Sequence, residues 1–300
     1  MSLEEFESEF NTDEACRDYI FRIRWPDGFV CPKCCNKKAW PIGKVLYQCS
    51  KCHYRTSVIA GTIFQDTHKP LTIWFRMMWY VTSQKNGSSA LGLQRVLGLK
   101  SYETAWLWLQ KLRRAMVRPG RDKLSGYVEI DDAYIGGVSE GKRGRGSNNK
   151  MLIVVAVEIK DEKLGRIRIS RVSNASGLCL VDFIEQSVEK GSTISTDGWT
   201  GYNGVYEAGY THKITNSSVT DKTELLPHVH LVVSLLNRWL LGTLHGAVGA
   251  KHFDYYLDEF TFRFNRRTSK SRGLLFYRLM QNAVQTRANT YDIITEGKNG

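Results

Sequence analysis

The chain has 300 residues, enough for two or three domains, and its 42 Lys and Arg against 30 Asp and Glu give a formal charge of +12. That surplus points to a polyanionic partner, with nucleic acid ahead of an anionic membrane surface, and a hydrophobic content of 42% excludes disorder over most of the chain. No apolar run approaches the length of a membrane span, and the acidic start MSLEEFESEF lacks the basic and apolar regions of a secretory signal. The expectation is a cytoplasmic protein without a membrane partner. In that compartment the seven Cys serve as metal ligands or free thiols rather than disulfides.

Residues 1–26 read as one short helical lead-in, with apolar residues of EACRDYIFRIRW at helical spacing. Next come Cys31-Pro-Lys-Cys34 and Cys49-Ser-Lys-Cys52, with 14 residues between the pairs. Each CxxC turns two thiolates toward one point, and two such knuckles supply the tetrahedral sulfur cage preferred by zinc. Cys35 and His53 each sit beside a ligand and are read as neighbours that do not ligate. The intervening KKAWPIGKVLYQ suits two short strands. Lys33, Lys37, Lys38, Lys44, Lys51 and Arg55 make the module basic.

Residues 70–118 read as helices, with Pro70 near the first helix start. Segments 88–97 and 101–117, separated by Gly98, Leu99 and Lys100, have the lengths and tight turn of a helix-turn-helix. Trp106 and Trp108 are assigned to core, and Lys111, Arg113 and Arg114 to a basic end along phosphates. Pro119-Gly120 then breaks the helix.

From residue 126 the period changes to that of strands. YVEIDDAYIGG places Glu129, Asp131 and Ala133 on one face, and Asp131 stands where packing would favour Val. A Gly-rich basic loop with Arg143 and Arg145 follows. MLIVVAVEIK has the β-branched run of a buried interior strand, and GRIRISRV alternates. Ser176 caps an amphipathic helix whose apolar face takes Cys179. STISTDG is a short strand closed by Asp197, which taken alone is a turn residue. Carboxylates on neighbouring strands can converge on a divalent metal. Two further helices, LLPHVHLVVSLLNRWLLG and HFDYYLDEFTFRFNRR, end in a basic run containing Arg263, Arg266 and Arg267, read as phosphate contacts.

The ribbon, the helix-turn-helix, EIDDAYIGG, TDGWTGY and LDEFTFRFNRR together resemble an insertion-sequence transposase family of the DDE superfamily, over roughly residues 20 to 285. The resemblance implies a multidomain α+β protein: an N-terminal helix and zinc ribbon over 1–60, a helix-turn-helix segment over 61–120, and a ribonuclease H-like core with a mixed sheet over 121–300. It implies an enzyme that binds terminal inverted repeats, cleaves phosphodiester bonds and joins the 3′-hydroxyl ends to target DNA with Mg²⁺ or Mn²⁺. A homodimer or larger assembly on double-stranded DNA is expected.

By that resemblance Asp131 is the first acid, with Asp132 where many members have Glu, and Asp197 is the second. The third position falls on His230, as in a His-bearing branch of the family, and Asn237 stands where a basic residue is usual. Glu224 and Glu259 are rivals for the third position. The competing functional readings are a zinc-ribbon regulator without catalysis, an impaired transposase copy, and a nuclease on the same fold that cuts but does not join.

Overall fold

The computed structural model describes residues 1–118, 120–136, 150–215, 225–245, 248–288 and 291–296. They divide into two compact units, Met1–Arg118 with Ser269–Gly300, and Pro119–Thr268.

The lead-in is two helices rather than one, α1 (Leu3–Glu9) and α2 (Asp13–Arg24). Capping separates them. Ser2 and Glu5 exchange a reciprocal capping box, and the Thr12 hydroxyl accepts from the Ala15 amide. The ribbon has three antiparallel strands, β1 (Ala39–Ile42), β2 (Leu46–Cys49) and β3 (Arg55–Ser57), in that order. The last of these is too short to read by alternation.

Helices α3 (Leu71–Ser83), α4 (Ala90–Leu97) and α5 (Tyr102–Ala115) follow. Ser89 and Ser101 cap α4 and α5, and Gly98 ends α4 at φ 62°, in the left-handed region. Trp108 is core, as expected: its ring stacks on Trp74 at 3.9 Å. Truncating either ring is worth about 3–5 kcal/mol.

The second unit holds β4 (Tyr127–Ile135), β5 (Met151–Lys160), β6 (Lys163–Arg171), α6 (Gly177–Ser187), β7 (Thr193–Thr196), β8 (Thr211–Ile214), α7 (Pro227–Leu244) and α8 (Phe253–Phe264). The sheet order is β6-β5-β4-β7-β8. The β6-β5-β4 pairings are antiparallel, and β7 pairs parallel with both β4 and β8. This is the mixed-sheet, ribonuclease H-like core that the resemblance implies. Both faces are covered. Ile135, Ile153, Val155 and Val157 pack with α7 and α8, while Val128, Ile130, Val154 and Ala156 pack with Leu180, Phe183 and Ile184 of α6.

Ser176 stands at the N-cap of α6 but makes no side-chain cap bond; its own amide donates to Asn174 Oδ1. Cys179 is only partly buried and lies 3.5 Å from the Ser173 hydroxyl, so it is not a core side chain.

Beyond α8 come α9 (Arg272–Gln285) and α10 (Tyr291–Glu296). The sequence division assigned these residues to the core, but they belong to the first unit. The reason is aromatic packing: Phe276 of α9 lies 5.7 Å from Phe6, 5.6 Å from Phe10 and 5.7 Å from Phe75.

After β7 the chain turns through a 3₁₀ segment, Thr200–Val205, held by Trp199, whose indole donates to the Ala175 carbonyl at 3.0 Å. A Cβ at Gly201 would stand 2.6 Å from that indole nitrogen and 2.8 Å from the same carbonyl. Gly201→Ala is therefore expected to destabilise the second unit by about 1–3 kcal/mol, the range for overpacking, as read in a urea melt.

Candidate functional site

In the ribbon, Cys31 and Cys52 Sγ are 3.6 Å apart, as are Cys34 and Cys49 Sγ, and all four sulfurs lie within 4.8 Å of one another. A tetrahedron with Zn–S bonds of about 2.3 Å has edges of about 3.8 Å, so the cage fits zinc. The two knuckles are built alike. The Cys35 amide donates to the Cys31 carbonyl at 2.9 Å and the His53 amide to the Cys49 carbonyl at 3.1 Å. Cys35 and His53 both take positive φ, 58° and 56°. They are turn residues with exposed side chains and do not join the cage, as expected. The Lys51 amide and the Asn36 side chain donate to Cys49 Sγ at 3.4 and 3.5 Å, which orients a thiolate. Lys33, Lys37, Lys38, Lys44, Lys51 and Arg55 are all exposed.

In the core, Asp131 lies on β4 opposite Val155, and Asp197 follows the end of β7, the parallel neighbour of β4. Both are partly buried. Burial and then the nearby Asp197 charge push the Asp131 carboxyl up to about 7, against the Asp132 amide that donates to its Oδ1 at 2.8 Å. Asp197 is aimed by its own turn, accepting from the Trp199 amide at 3.0 Å. Next to it, buried Thr196 lies 2.9 Å from His212 Nε2. The pair thus offers oxygen donors in mutual repulsion, a donor set that suits Mg²⁺ or Mn²⁺.

The third position is less assembled. His230 lies in the first turns of α7 and is exposed, as are Asn237 and Arg238. Among the described residues, the four Cys form the only cluster of three or more His, Cys, Asp or Glu at metal-binding spacing. Glu259 is 0% exposed and paired with Arg263 at 2.7 Å, inside α8. Its carboxylate accepts from the Arg263 guanidinium one turn further along the same helix. Glu224 lies outside the described residues.

Sequence reasoning passed over Glu129 and His228. Glu129 is 5% exposed. One of its oxygens accepts from the His228 and Val229 amides at 3.0 and 3.2 Å, and the other faces His228 Nδ1 at 2.8 Å. The available signal was that Glu129 shares the face of Asp131.

The basic residues divide. Arg113 is 2% exposed and lies 3.4 Å from Gln110 Oε1, so its assignment to phosphate contact is corrected: it is a core side chain. Burial lowers the pKa of Lys111, while Arg114 is exposed. Arg263 is tied to Glu259. Arg266 and Arg267 stack on Phe262 and Phe264 at 4.1 and 4.2 Å, and Arg267 also donates to the Gly165 and Leu164 carbonyls. Arg143 and Arg145 lie outside the described residues. No helix among the described residues is long and apolar enough to cross a membrane.

Residues 123–265 match the family model described as an ISXO2-like transposase domain, and residues 11–55 match the transposase zinc-ribbon domain. No curated protein matches the chain. Among solved structures, the catalytic core domain of BIV integrase is similar at 14% identity, over 49% of this chain and 86% of that one, with a TM-score of 0.32.

Two outcomes are expected. Cys31→Ser should lose the zinc that the wild-type protein carries, as read by metal analysis of the purified proteins. Because folding raises the Asp131 pKa from 3.8 to about 7, its favourable contribution is complete below the lower value and is lost as pH rises through the higher. Without divalent metal, Asp131→Asn should therefore stabilise the protein by on the order of 4 kcal/mol at about pH 8 and have little effect at about pH 4, as read in thermal melts.

Proposed function

We propose that this chain, built from an ISXO2-like transposase domain behind a transposase zinc ribbon, cleaves DNA at the ends of an insertion sequence and joins the freed 3′-hydroxyls to target DNA. The observation that carries the reading is the meeting of Asp131 and Asp197 at neighbouring parallel strands inside the matched transposase domain.

Asp131 and Asp197 would hold Mg²⁺ or Mn²⁺. When bound, such ions activate the attacking water or 3′-hydroxyl and stabilise the leaving oxygen. Asp131 supplies one carboxylate from a rigid interior strand, and Asp197 the other from a turn fixed by the Trp199 amide. His230 takes the third position, as a nitrogen ligand or a base, with Asn237 two turns further along the same face. Asp132 is an auxiliary acid beside the pair.

The exposed lysines of the ribbon, with α4, α5 and Arg114, suit the grip on the terminal repeats, and the Arg266–Arg267 run suits a second stretch of backbone. Action at two ends requires two copies, so a dimer or larger assembly on double-stranded DNA belongs to the reading, as does a cytoplasmic, nucleoid-associated location. The exposure of His230 favours one alternative, an impaired copy that binds ends without cutting them.

The test is cleavage and strand transfer on oligonucleotide ends taken from DNA flanking the gene. Asp131→Asn and Asp197→Asn should each abolish cleavage while keeping end binding, and activity should be higher with Mn²⁺ than with Mg²⁺. His230→Ala should cost about a hundredfold. Cleavage that survives both Asp changes would place the chemistry elsewhere.

A further inference from the structure

We propose that Glu129 is a positioning residue, which caps α7 from the strand that carries Asp131 and so holds the third catalytic position in register with the first acid. The proposal rests on the reading of Asp131, Asp197 and His230 given above.

Helix α7 starts without a cap of its own. Leu226 stands at the N-cap and offers no side-chain acceptor, and Pro227 at the first position has no amide to donate. The first free amides of the helix are those of His228 and Val229, and one Glu129 oxygen accepts from both. The second oxygen faces His228 Nδ1 at 2.8 Å. Opposite a carboxylate oxygen, Nδ1 is the donor, which leaves Nε2 as the free nitrogen. A buried carboxylate is costly unless donors surround it, and here it meets three donors and the positive end of a helix.

The cap is long-range, tying residue 129 to residues 228 and 229, so it does what a local Ser or Thr cap cannot. A local cap would fix the start of α7 to its own loop, whereas Glu129 fixes it to β4. Glu129 and Asp131 are two residues apart on one face of that strand. His230 follows His228 by two residues in the first turns of α7. One carboxylate thus ties the start of α7 to the strand of the first acid, in addition to the apolar packing of α7 on the sheet.

The experiment compares Glu129→Gln, Glu129→Ala, His228→Ala and His228→Asn in the full chain. Each is assayed for cleavage rate against Mn²⁺ concentration, Mn²⁺ affinity by calorimetry, end binding and melting temperature. Glu129→Gln is nearly isosteric and keeps one oxygen for the two amides, but it removes the charge and turns an NH₂ toward His228 Nδ1. It should lower both Mn²⁺ affinity and cleavage rate at least about tenfold, the scale for a lost outer-shell partner, with end binding unchanged. His228→Ala should show a similar loss, and His228→Asn, whose amide can donate where Nδ1 does, should restore most of it. Should Glu129→Ala fail to fold, the Gln variant and the His228 pair decide.

Wild-type cleavage and Mn²⁺ affinity in Glu129→Gln would overturn the proposal. So would losses that follow melting temperature alone and are not restored by His228→Asn. Asp131→Asn and Asp197→Asn in the same assay separate the two readings. If they stay active, the assignment of the acids has failed; if they are dead while Glu129→Gln is normal, only the role of Glu129 has failed.

Discussion

β4 and β7 run parallel, with Glu129 opposite Ser195, and two parallel strands cannot be joined by a tight turn. The chain between them has to leave the sheet edge and return, and it does so through β5, β6 and α6. That excursion covers one face with α6, and α7 and α8 cover the other. With apolar packing on both faces, β4 and β7 are fixed in register, and with them Asp131 on β4 and Asp197 just past the end of β7. The proximity of Asp131 and Asp197, and the raised carboxyl pKa it helps to cause, follow from strand pairing rather than from any local property of either residue.

How much of this could be read from residues alone depends on the distance over which each feature is determined. The zinc cage was legible because each CxxC is a local turn and sulfur has few other uses at that spacing. Asp131 was legible because a strand interior disfavours an acid. The break between α1 and α2 was missed although the capping residue Thr12 is a local signal. Three other features have no local signature. Arg113 is buried because α5 turns that face inward, although its charge suggested a surface. Glu259 is buried because Arg263, one turn further on, pairs with it. The Glu129 cap on α7 joins residues far apart in the chain, and alternation gives only the face on which Glu129 lies.

The ribbon is also built on more than its cage. Trp25, Phe29 and Tyr47 pack ring on ring beside it, with Trp25 and Phe29 5.0 Å apart and Phe29 stacked on Tyr47 at 6.0 Å. Three short strands cannot bury enough apolar area to fold alone, so metal and aromatics have to share the task. Arg24 extends the tie, donating to the Ser57 and Val58 carbonyls at 3.2 and 2.6 Å. A lost sulfur ligand should therefore loosen the ribbon more than the helices that follow it.

The return of α9 to the first unit sets an order of events during synthesis. A ribosome extends the chain from its N-terminus, and domains usually fold in that order. Here the aromatic cluster of Phe6, Phe10, Tyr19 and Phe75 lacks Phe276 until residues 272–285 have emerged. The second unit, continuous in sequence, has all its strands and helices before then. The residues that complete the early aromatic cluster are thus translated after the whole of the second unit.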